Sequence, residues 1–515
     1  MFLETNSRMH KTRGWLQRVP LHPFLFAVYP ILALLAINIS EVDAVSGWRP
    51  LLLSIVAAGF LTLAFYAIFR DWSRAALVAT IFLILFYSYG HVYILLKGVE
   101  RNGLFLFRHR TLLPLWIVVG AFLVWRVSRK SFRMETATHV LNLIGLFLLI
   151  LPAFQLVSFS LQSRTSEAET NTSALDLKPG SQPPDIYYII LDGYGRSDVL
   201  KHEYDYDNSD FLNSLRDLGF YVAECSQSNY AQTQISLASS LNFNYIDALS
   251  DRFIPGSEDR TGLDAFIHHG AVRQSLEAAG YETVAFATGF LATELRDADY
   301  FLSPGHSRGQ LNEFEVLLIE TTLARLLQDG NRFGMQTAGS ELFRERTLFA
   351  LDKLDKLSYI PGPKLVFVHL VIPHPPYVFG PTGGPVESAD VGTTKTQEGA
   401  SHYRDQVIYI NSRMRDILPK IIAGSSTPPV IVIQGDHGPT VASSPRSRMS
   451  NLNAYFLPGA NQSVYPAITP VNTFRVIFNE YFGQNLELLE DVSLYSDYTD
   501  PFNFKVIQNT CEPNG

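Results

Sequence analysis

A carboxylate and an imidazole stand side by side in Gln434-Gly435-Asp436-His437-Gly438-Pro439, directly after the apolar run Val430-Ile431-Val432-Ile433. Adjacent oxygen and nitrogen donors suit a divalent cation, and the β-branched run reads as a strand buried on both faces. In open α/β sheets, ligands collect beyond the carboxyl ends of such strands. Two further runs end in the same kind of chemistry. Ile186-Tyr187-Tyr188-Ile189-Ile190-Leu191 leads into Asp192-Gly193-Tyr194-Gly195-Arg196, a carboxylate at the tip with a glycine that permits a tight turn. Leu365-Val366-Phe367-Val368 leads into His369 and then His374. Each group has a plainer reading: Asp192 as a turn former, the histidines as satisfied polar groups, Asp436-His437 as a surface turn. Three coincidences at three strand ends favour one shared site.

Such a site needs a nucleophile. Ser228-Asn229-Tyr230-Ala231-Gln232-Thr233-Gln234-Ile235-Ser236 is a hydroxyl-rich turn that opens a helical stretch. Thr233 there reads either as a helix cap or as a metal ligand through its hydroxyl. In the second case the metal lowers the hydroxyl pKa, and the helix N-terminus favours an incoming phosphoryl or sulfuryl group. Arg446 and Arg448 follow the Asp-His pair and are candidate phosphate clamps or solvated loop arginines.

The elements that must position these groups alternate strand and helix over roughly 330 residues, enough for one large α/β domain. Strands are predicted at Ile186 to Leu191, Thr283 to Ala287, Leu365 to Leu370 and Pro429 to Ile433, and helices include Asp210 to Leu218 and Tyr403 to Ile422. A very different segment precedes them. Five apolar stretches run from about Leu21 to Ile39, Leu51 to Phe69, Ala75 to Leu96, Leu112 to Trp125 and Val140 to Leu161. They are too numerous and too long for a signal peptide, and most are long enough to cross a bilayer; the fourth is the shortest. The expected organisation is a transmembrane domain over 1–161, a polar and extended linker over 162–184, and a catalytic domain over 185–515.

Basic flanks orient the spans. Arg8, Lys11, Arg13 and Arg18 precede the first, Arg70 and Arg74 follow the second, and Arg126, Arg129, Lys130 and Arg133 follow the fourth, so these segments are expected in the cytoplasm. The loop with Lys97, Arg101, Arg108 and Arg110 then falls outside and breaks the rule; with Phe105 and Phe107 interleaved it suits a membrane surface or a headgroup. An odd number of spans places everything after Leu161 outside the cytoplasm of a multi-pass cell-membrane protein. Lys+Arg number about 15 against 6 Asp+Glu through Gln162, and about 26 against 43 beyond it. The exported part is thus acidic and carries no basic stripe with aromatics, which argues against nucleic acid as a partner. Cys225 and Cys511 both lie in this part and read either as a disulfide or as two free thiols.

The order of these motifs resembles the alkaline-phosphatase superfamily in its sulfatase-like branch. More closely, the whole chain is similar to membrane-anchored enzymes of the lipoteichoic acid synthase and phosphoethanolamine transferase type. The resemblance implies an α-helical membrane domain of about five helices followed by an α/β, alkaline-phosphatase-like extracytoplasmic domain. It implies that Asp192, Asp436 and His437 bind a divalent cation and that Thr233 is both ligand and nucleophile. Thr233-Gln-Ile-Ser236 is similar to the Thr-x-x-Ser of the phosphoethanolamine transferases, and His374 and His369 match histidines that contact substrate oxygens, protonate the leaving group or hold a second metal.

Several features depart from that pattern. Asp192 stands where the closest transferases have Glu, and Asp192-Gly193-Tyr194-Gly195-Arg196 is also similar to the Asp-Gly-Phe-Arg of nucleotide pyrophosphatases. No histidine follows His437, so one ion, zinc or manganese, is expected rather than two. Neither Cys225-Ser226-Gln227-Ser228-Asn229 nor Ser443-Ser444-Pro445-Arg446-Ser447 is the Cys/Ser-x-Pro-x-Arg that sulfatases require. The expected activity is transfer of a phosphoethanolamine- or phosphoglycerol-like headgroup from a membrane phospholipid, through phospho-threonine, to an external glycan or lipid acceptor. A hydrolase or phosphodiesterase of the same fold and a catalytically inactive binding protein are the alternatives.

Overall fold

The computed structural model of the chain describes residues 19–39, 42–99, 108–129, 131–169, 174–260, 262–305, 311–330, 338–386 and 397–511. These divide into two units: Met1–Leu161 with Ser307–Gly339, and Gln162–His306 with Ser340–Gly515.

In the first unit, helices α1 (His22–Ile37), α2 (Trp48–Phe69), α3 (Trp72–Val99), α4 (His109–Ser128) and α5 (Met134–Glu169) stand where five apolar stretches were expected. Four of them are long and apolar enough to cross a membrane, and α1, at 16 residues, is shorter. The fourth is no shorter than a span requires: α4 takes in His109, Arg110 and Arg126 and reaches 20 residues. Polarity is arranged inside out. Leu52, Leu53, Val56, Phe60 and Leu63 of α2 point outward, whereas its Ser54, Ala58 and Thr62 are buried, and Ser54 Oγ donates to Ala27 O at 2.7 Å. Small and hydroxylated residues between helices with large apolar ones outside is the arrangement for a hydrocarbon solvent. Residues 307–339, expected in the α/β domain, belong here instead. Phe314, in a helix over Glu313–Thr321, is fully buried against Ile31, Leu34 and Leu35, and Glu315 accepts from Arg49 Nε at 2.9 Å and Nη2 at 2.6 Å.

The expected extended linker is partly regular. Helix α5 continues to Glu169, and farther on Leu177 is buried in the α/β unit while Leu175 N donates to Ser275 Oγ at 2.9 Å. Two leucines among polar residues are enough to dock this stretch. Arg8, Lys11, Arg13, Arg18, Arg101, Phe105, Phe107 and Lys130 lie outside the described residues.

The second unit is built on a seven-stranded sheet of order β2-β7-β6-β1-β5-β3-β4. Its strands are β1 (Ile186–Leu191), β2 (Tyr221–Val222), β3 (Glu282–Phe286), β4 (Tyr300–Leu302), β5 (Lys364–Leu370), β6 (Val430–Gln434) and β7 (Asn453–Phe456). The four strands expected from sequence form its parallel centre and lie within a residue of their expected bounds, while the antiparallel β2 and β7 and the short β4 widen it. Alternation decides the packing: Tyr187, Ile189, Leu191, Val366, Val368, Ile431 and Ile433 fill one apolar layer, and Ile186, Tyr188, Ile190, Leu365, Phe367, Val430 and Val432 fill the other. Register then fixes the chemistry. Leu191 pairs with Leu370 and Ile190 with both His369 and Gln434, so the three strands end at one level. A separate hairpin, β8 (Leu494–Asp497) with β9 (Asp500–Val506), closes the chain, and Cys225 is bonded to Cys511.

Candidate metal centre and nucleophile

Asp192, Asp436 and His437 meet at those strand ends, all buried, with ligand atoms within 4.8 Å of one another. Turns aim them. Gly193 has φ +70°, a conformation that favours glycine, and its N–H donates to Asp436 Oδ1 at 3.0 Å. Tyr403, on helix Gln397–Gly424, donates its hydroxyl to Gly193 O at 2.9 Å and accepts from Gly195 N at 3.0 Å, pinning the turn after Asp192. Gly438 leaves no room for a side chain, since a Cβ there would lie 2.3 Å from Ser447 O.

Asp192 Oδ1 and Asp436 Oδ2 are buried and have no hydrogen-bond partner among the described residues. They lie 3.6 and 3.3 Å from His437 Nε2. The other ring nitrogen, Nδ1, donates to Gly438 O at 2.8 Å, which leaves the Nε2 lone pair aimed at the two carboxylates. Burial pushes the His437 pKa down to about 4, assisted by the Arg448 guanidinium and opposed by Asp436 and Asp192. Burial alone would push Asp192 up, but the imidazoles of His374, His369 and His437 outweigh it and hold this carboxyl well below its usual range. Two carboxylate oxygens with unshared lone pairs, together with a neutral imidazole nitrogen turned toward them, fit a divalent ion. Without one, buried oxygens in this arrangement are costly.

Helix α6 (Thr233–Ser240) begins beside this cluster. Thr233 Oγ1 lies 3.2 Å from His437 Nε2, and Ser236, one turn on, donates its hydroxyl to Asp436 O at 2.6 Å. The helix cap expected as the plainer role of Thr233 is not made: it is the first helical residue, and the N-cap position belongs to Gln232. His369 Nδ1 meets Thr293 Oγ1 at 2.9 Å, and its Nε2 lies 3.2 Å from Asp192 Oδ2. His374 donates from Nδ1 to Pro375 O at 2.6 Å, and its ring centre is 6.3 Å from that of His437.

The two arginines part company. Arg448 enters the site, with Nη2 3.0 Å from His437 Nε2, Nε donating to Ala231 O at 2.9 Å and Nη1 to Gly438 O at 3.2 Å. Arg446, on the short helix Pro445–Met449, is exposed, and its guanidinium reaches none of these groups among the described residues. Tyr403 and Thr293 were not anticipated from sequence, whereas Ser236 stood there as the serine of the Thr-x-x-Ser resemblance. Its place one helical turn beyond Thr233 brings it to Asp436.

No protein-family model and no curated protein matches the chain. Among solved structures it is similar to the C-terminal periplasmic domain of EcEptC from Escherichia coli in complex with Zn, at 16% identity over 66% of this chain and 98% of that one, TM-score 0.44. It is also similar to the integral membrane protein lipooligosaccharide phosphoethanolamine transferase A from Neisseria meningitidis, at 11% identity over 90% of this chain and 95% of that one, TM-score 0.39. A third is the phosphonate monoester hydrolase of Agrobacterium radiobacter, at 13% identity over 61% of this chain and 80% of that one, TM-score 0.38.

Proposed function

We propose that this chain is a membrane-anchored, metal-dependent transferase that moves a phospholipid headgroup, phosphoethanolamine- or phosphoglycerol-like, to an external glycan or lipid through Thr233. One observation carries the reading: the unshared oxygens of Asp192 and Asp436 face His437 Nε2, and the Thr233 hydroxyl stands 3.2 Å from that same nitrogen.

Asp192, Asp436, His437 and Thr233 would hold one divalent ion, zinc or manganese, which when bound lowers the pKa of a coordinated hydroxyl and draws charge from a phosphoryl oxygen. Thr233 Oγ attacks the headgroup phosphorus and its proton passes to water. The bond from phosphorus to the glycerol oxygen breaks, and that oxygen leaves as diacylglycerol with a proton from His374 Nε2. His374 suits this role because its Nδ1 is committed to Pro375 O, leaving Nε2 for the proton. An acceptor hydroxyl then attacks the phospho-threonine and gives its proton to His374, while the Thr233 oxygen leaves and is reprotonated from water. Arg448 lends a fixed positive charge beside His437, and His369 stands 3.2 Å from Asp192 Oδ2, the carboxylate oxygen not facing His437, as a further substrate contact.

The apolar helices support a multi-pass location, and the basic residues Arg70, Arg74, Arg126, Arg129 and Arg133 beside them are the ground for placing the N-terminus in the cytoplasm and the catalytic domain outside it. Tethering to the donor's own bilayer raises the effective concentration of the lipid. The test is the full chain in nanodiscs holding headgroup-labelled phosphatidylethanolamine or phosphatidylglycerol, with and without a hydroxylated glycolipid acceptor. Label should reach the acceptor with release of diacylglycerol, and Thr233→Ala should stop both. Label found only as free headgroup phosphate would make the protein a hydrolase.

A further inference from the structure

The segment that presents Thr233 is held from one side by a guanidinium that the chemistry above does not use. Gln232, just before Thr233, and Gln234, just after it, both turn their side-chain oxygens to Arg260: Gln232 Oε1 accepts from Nη2 at 2.5 Å and Gln234 Oε1 from Nη1 at 3.4 Å. The same Nη2 donates to Tyr498 O at 3.0 Å, and the guanidinium centre lies 4.2 Å over the Tyr498 ring, at the turn between β8 and β9. The amide nitrogens are committed as well. Gln232 Nε2 donates to Ser496 Oγ at 3.0 Å on β8, and Gln234 Nε2 to Asp264 Oδ1 at 3.1 Å on helix α7 (Leu263–His268).

We propose that Arg260 is a positioning residue for Thr233: its planar fork holds Gln232 and Gln234, the two neighbours of the nucleophile, against the C-terminal hairpin and so fixes where the Thr233 hydroxyl points. The backbone gives this purchase. Gln232 is the N-cap of α6, its carbonyl accepts from Ser236 N at 2.9 Å, and its side chain makes no cap bond, being drawn away to Arg260. Pinning the residues on both sides of Thr233 restricts the φ and ψ that aim its side chain. The fork serves the two amide oxygens from two separate nitrogens held at a fixed spacing, which the single nitrogen of a lysine ammonium does not reproduce, so lysine is no substitute here. Misplacing a reacting atom by about 1 Å costs about 10²-fold in rate even when the altered residue never touches substrate.

The proposal rests on Thr233 being the reacting group, and two readouts on the full chain keep the two ideas apart. In the nanodisc assay, Arg260→Met and Arg260→Lys should each lower kcat by about 10²-fold with KM and bound metal unchanged. Independently of activity, hydrogen exchange of the peptides spanning 227–240 should quicken by about tenfold in both variants, with β1, β5 and β6 unaltered. A Gln232→Leu, Gln234→Leu double variant removes the fork's acceptors while leaving the guanidinium, and should reproduce both effects even if an Arg260 variant folds poorly. Full rate in Arg260→Lys, or a raised KM with kcat unchanged, would make Arg260 an anion-binding group and overturn the proposal, as would unchanged exchange over 227–240. Altered exchange in a protein whose parent never modifies Thr233 would preserve the clamp and remove the transferase reading.

Discussion

The strand ends and the nucleophile loop face one another across the site and treat their polar atoms in opposite ways. At the ends of β1 and β6, Asp192 Oδ1 and Asp436 Oδ2 are buried with no hydrogen-bond partner among the described residues, and at the end of β5 His369 Nε2 has only the Asp192 carboxylate 3.2 Å away. In the loop from Cys225 to Thr233 the buried groups are matched almost throughout. Asn229 Nδ2 donates to Thr469 Oγ1 and Val492 O, both at 3.0 Å, and its Oδ1 accepts from Val471 N at 2.8 Å; Ser226 Oγ donates to Ile468 O at 2.8 Å. Gln227 Nε2 is the exception. Leu494 N donates to Asn229 O at 2.8 Å, Asn509 Nδ2 to Cys225 O at 2.7 Å, and the Cys225–Cys511 bond closes the seam. Lone pairs left open mark where a ligand must come from outside the chain, and lone pairs fully used mark a mould whose shape is meant to stay. In the proposed reading, one side of the site would receive an ion and the other would mount the attacking oxygen.

That contrast breaks in different ways according to which side is altered. The largest effect belongs to the open side: Asp436→Asn should empty the metal centre, measured as metal per folded chain, and lower transfer by more than about 10²-fold. Hydrogen exchange in the loop 225–233 should not change. Next comes the mount. Replacing Cys225 and Cys511 together by serine should cost about 2–5 kcal/mol of domain stability in denaturant unfolding, with metal content preserved. Loss of metal in that variant would mean that the two sides are not separate.

The smallest effect is electrostatic. Burial pushes the Asp264 carboxyl up to about 6, with the bond from Gln234 Nε2 opposing the shift. A folded pKa above the ordinary 3.8 means that the folded state holds this proton more tightly. The stability gained is therefore complete below about pH 4 and is lost as the pH rises through about 6. Asp264→Asn keeps an acceptor for Gln234 and carries no charge, so its Tm should exceed the parent's by a few degrees at pH 7.5 and converge with it near pH 4. A difference independent of pH would show that the charge of Asp264 is not what the fold opposes.

How much of this was legible in the sequence follows the same division. The meeting of Asp192, Asp436 and His437 at the strand ends could be read because β-branched runs buried on both faces are conspicuous, and because Asp192-Gly193 and Asp436-His437-Gly438 sit at their carboxyl ends. The parallel centre of the sheet was legible for that reason. The mount was not: Arg260, Tyr498 and Asn229 are ordinary polar residues in sequence, and only the return of the C-terminal hairpin along the loop gives them work. Cys225 and Cys511 were recognisable as a possible bridge, but their separation of 286 residues carries no sign of pairing. In the first unit, a window of uninterrupted apolar residues cut α4 short at Arg126, since it could not allow charged residues within the helix ends. Phe314 and Glu315 gave no indication that 307–339 packs with the apolar helices, because a single buried phenylalanine and one ion pair to Arg49 have no periodic signature.

The most direct measurement is the mass of the peptide containing Thr233, taken from the full chain after incubation with phosphatidylethanolamine or phosphatidylglycerol and no acceptor. The account predicts a phospho-headgroup adduct on Thr233 in the metal-loaded protein, absent from Asp436→Asn and discharged when acceptor is added. An unmodified Thr233 peptide in a protein that still transfers label, or an undiminished rate in Thr233→Ala, would contradict it.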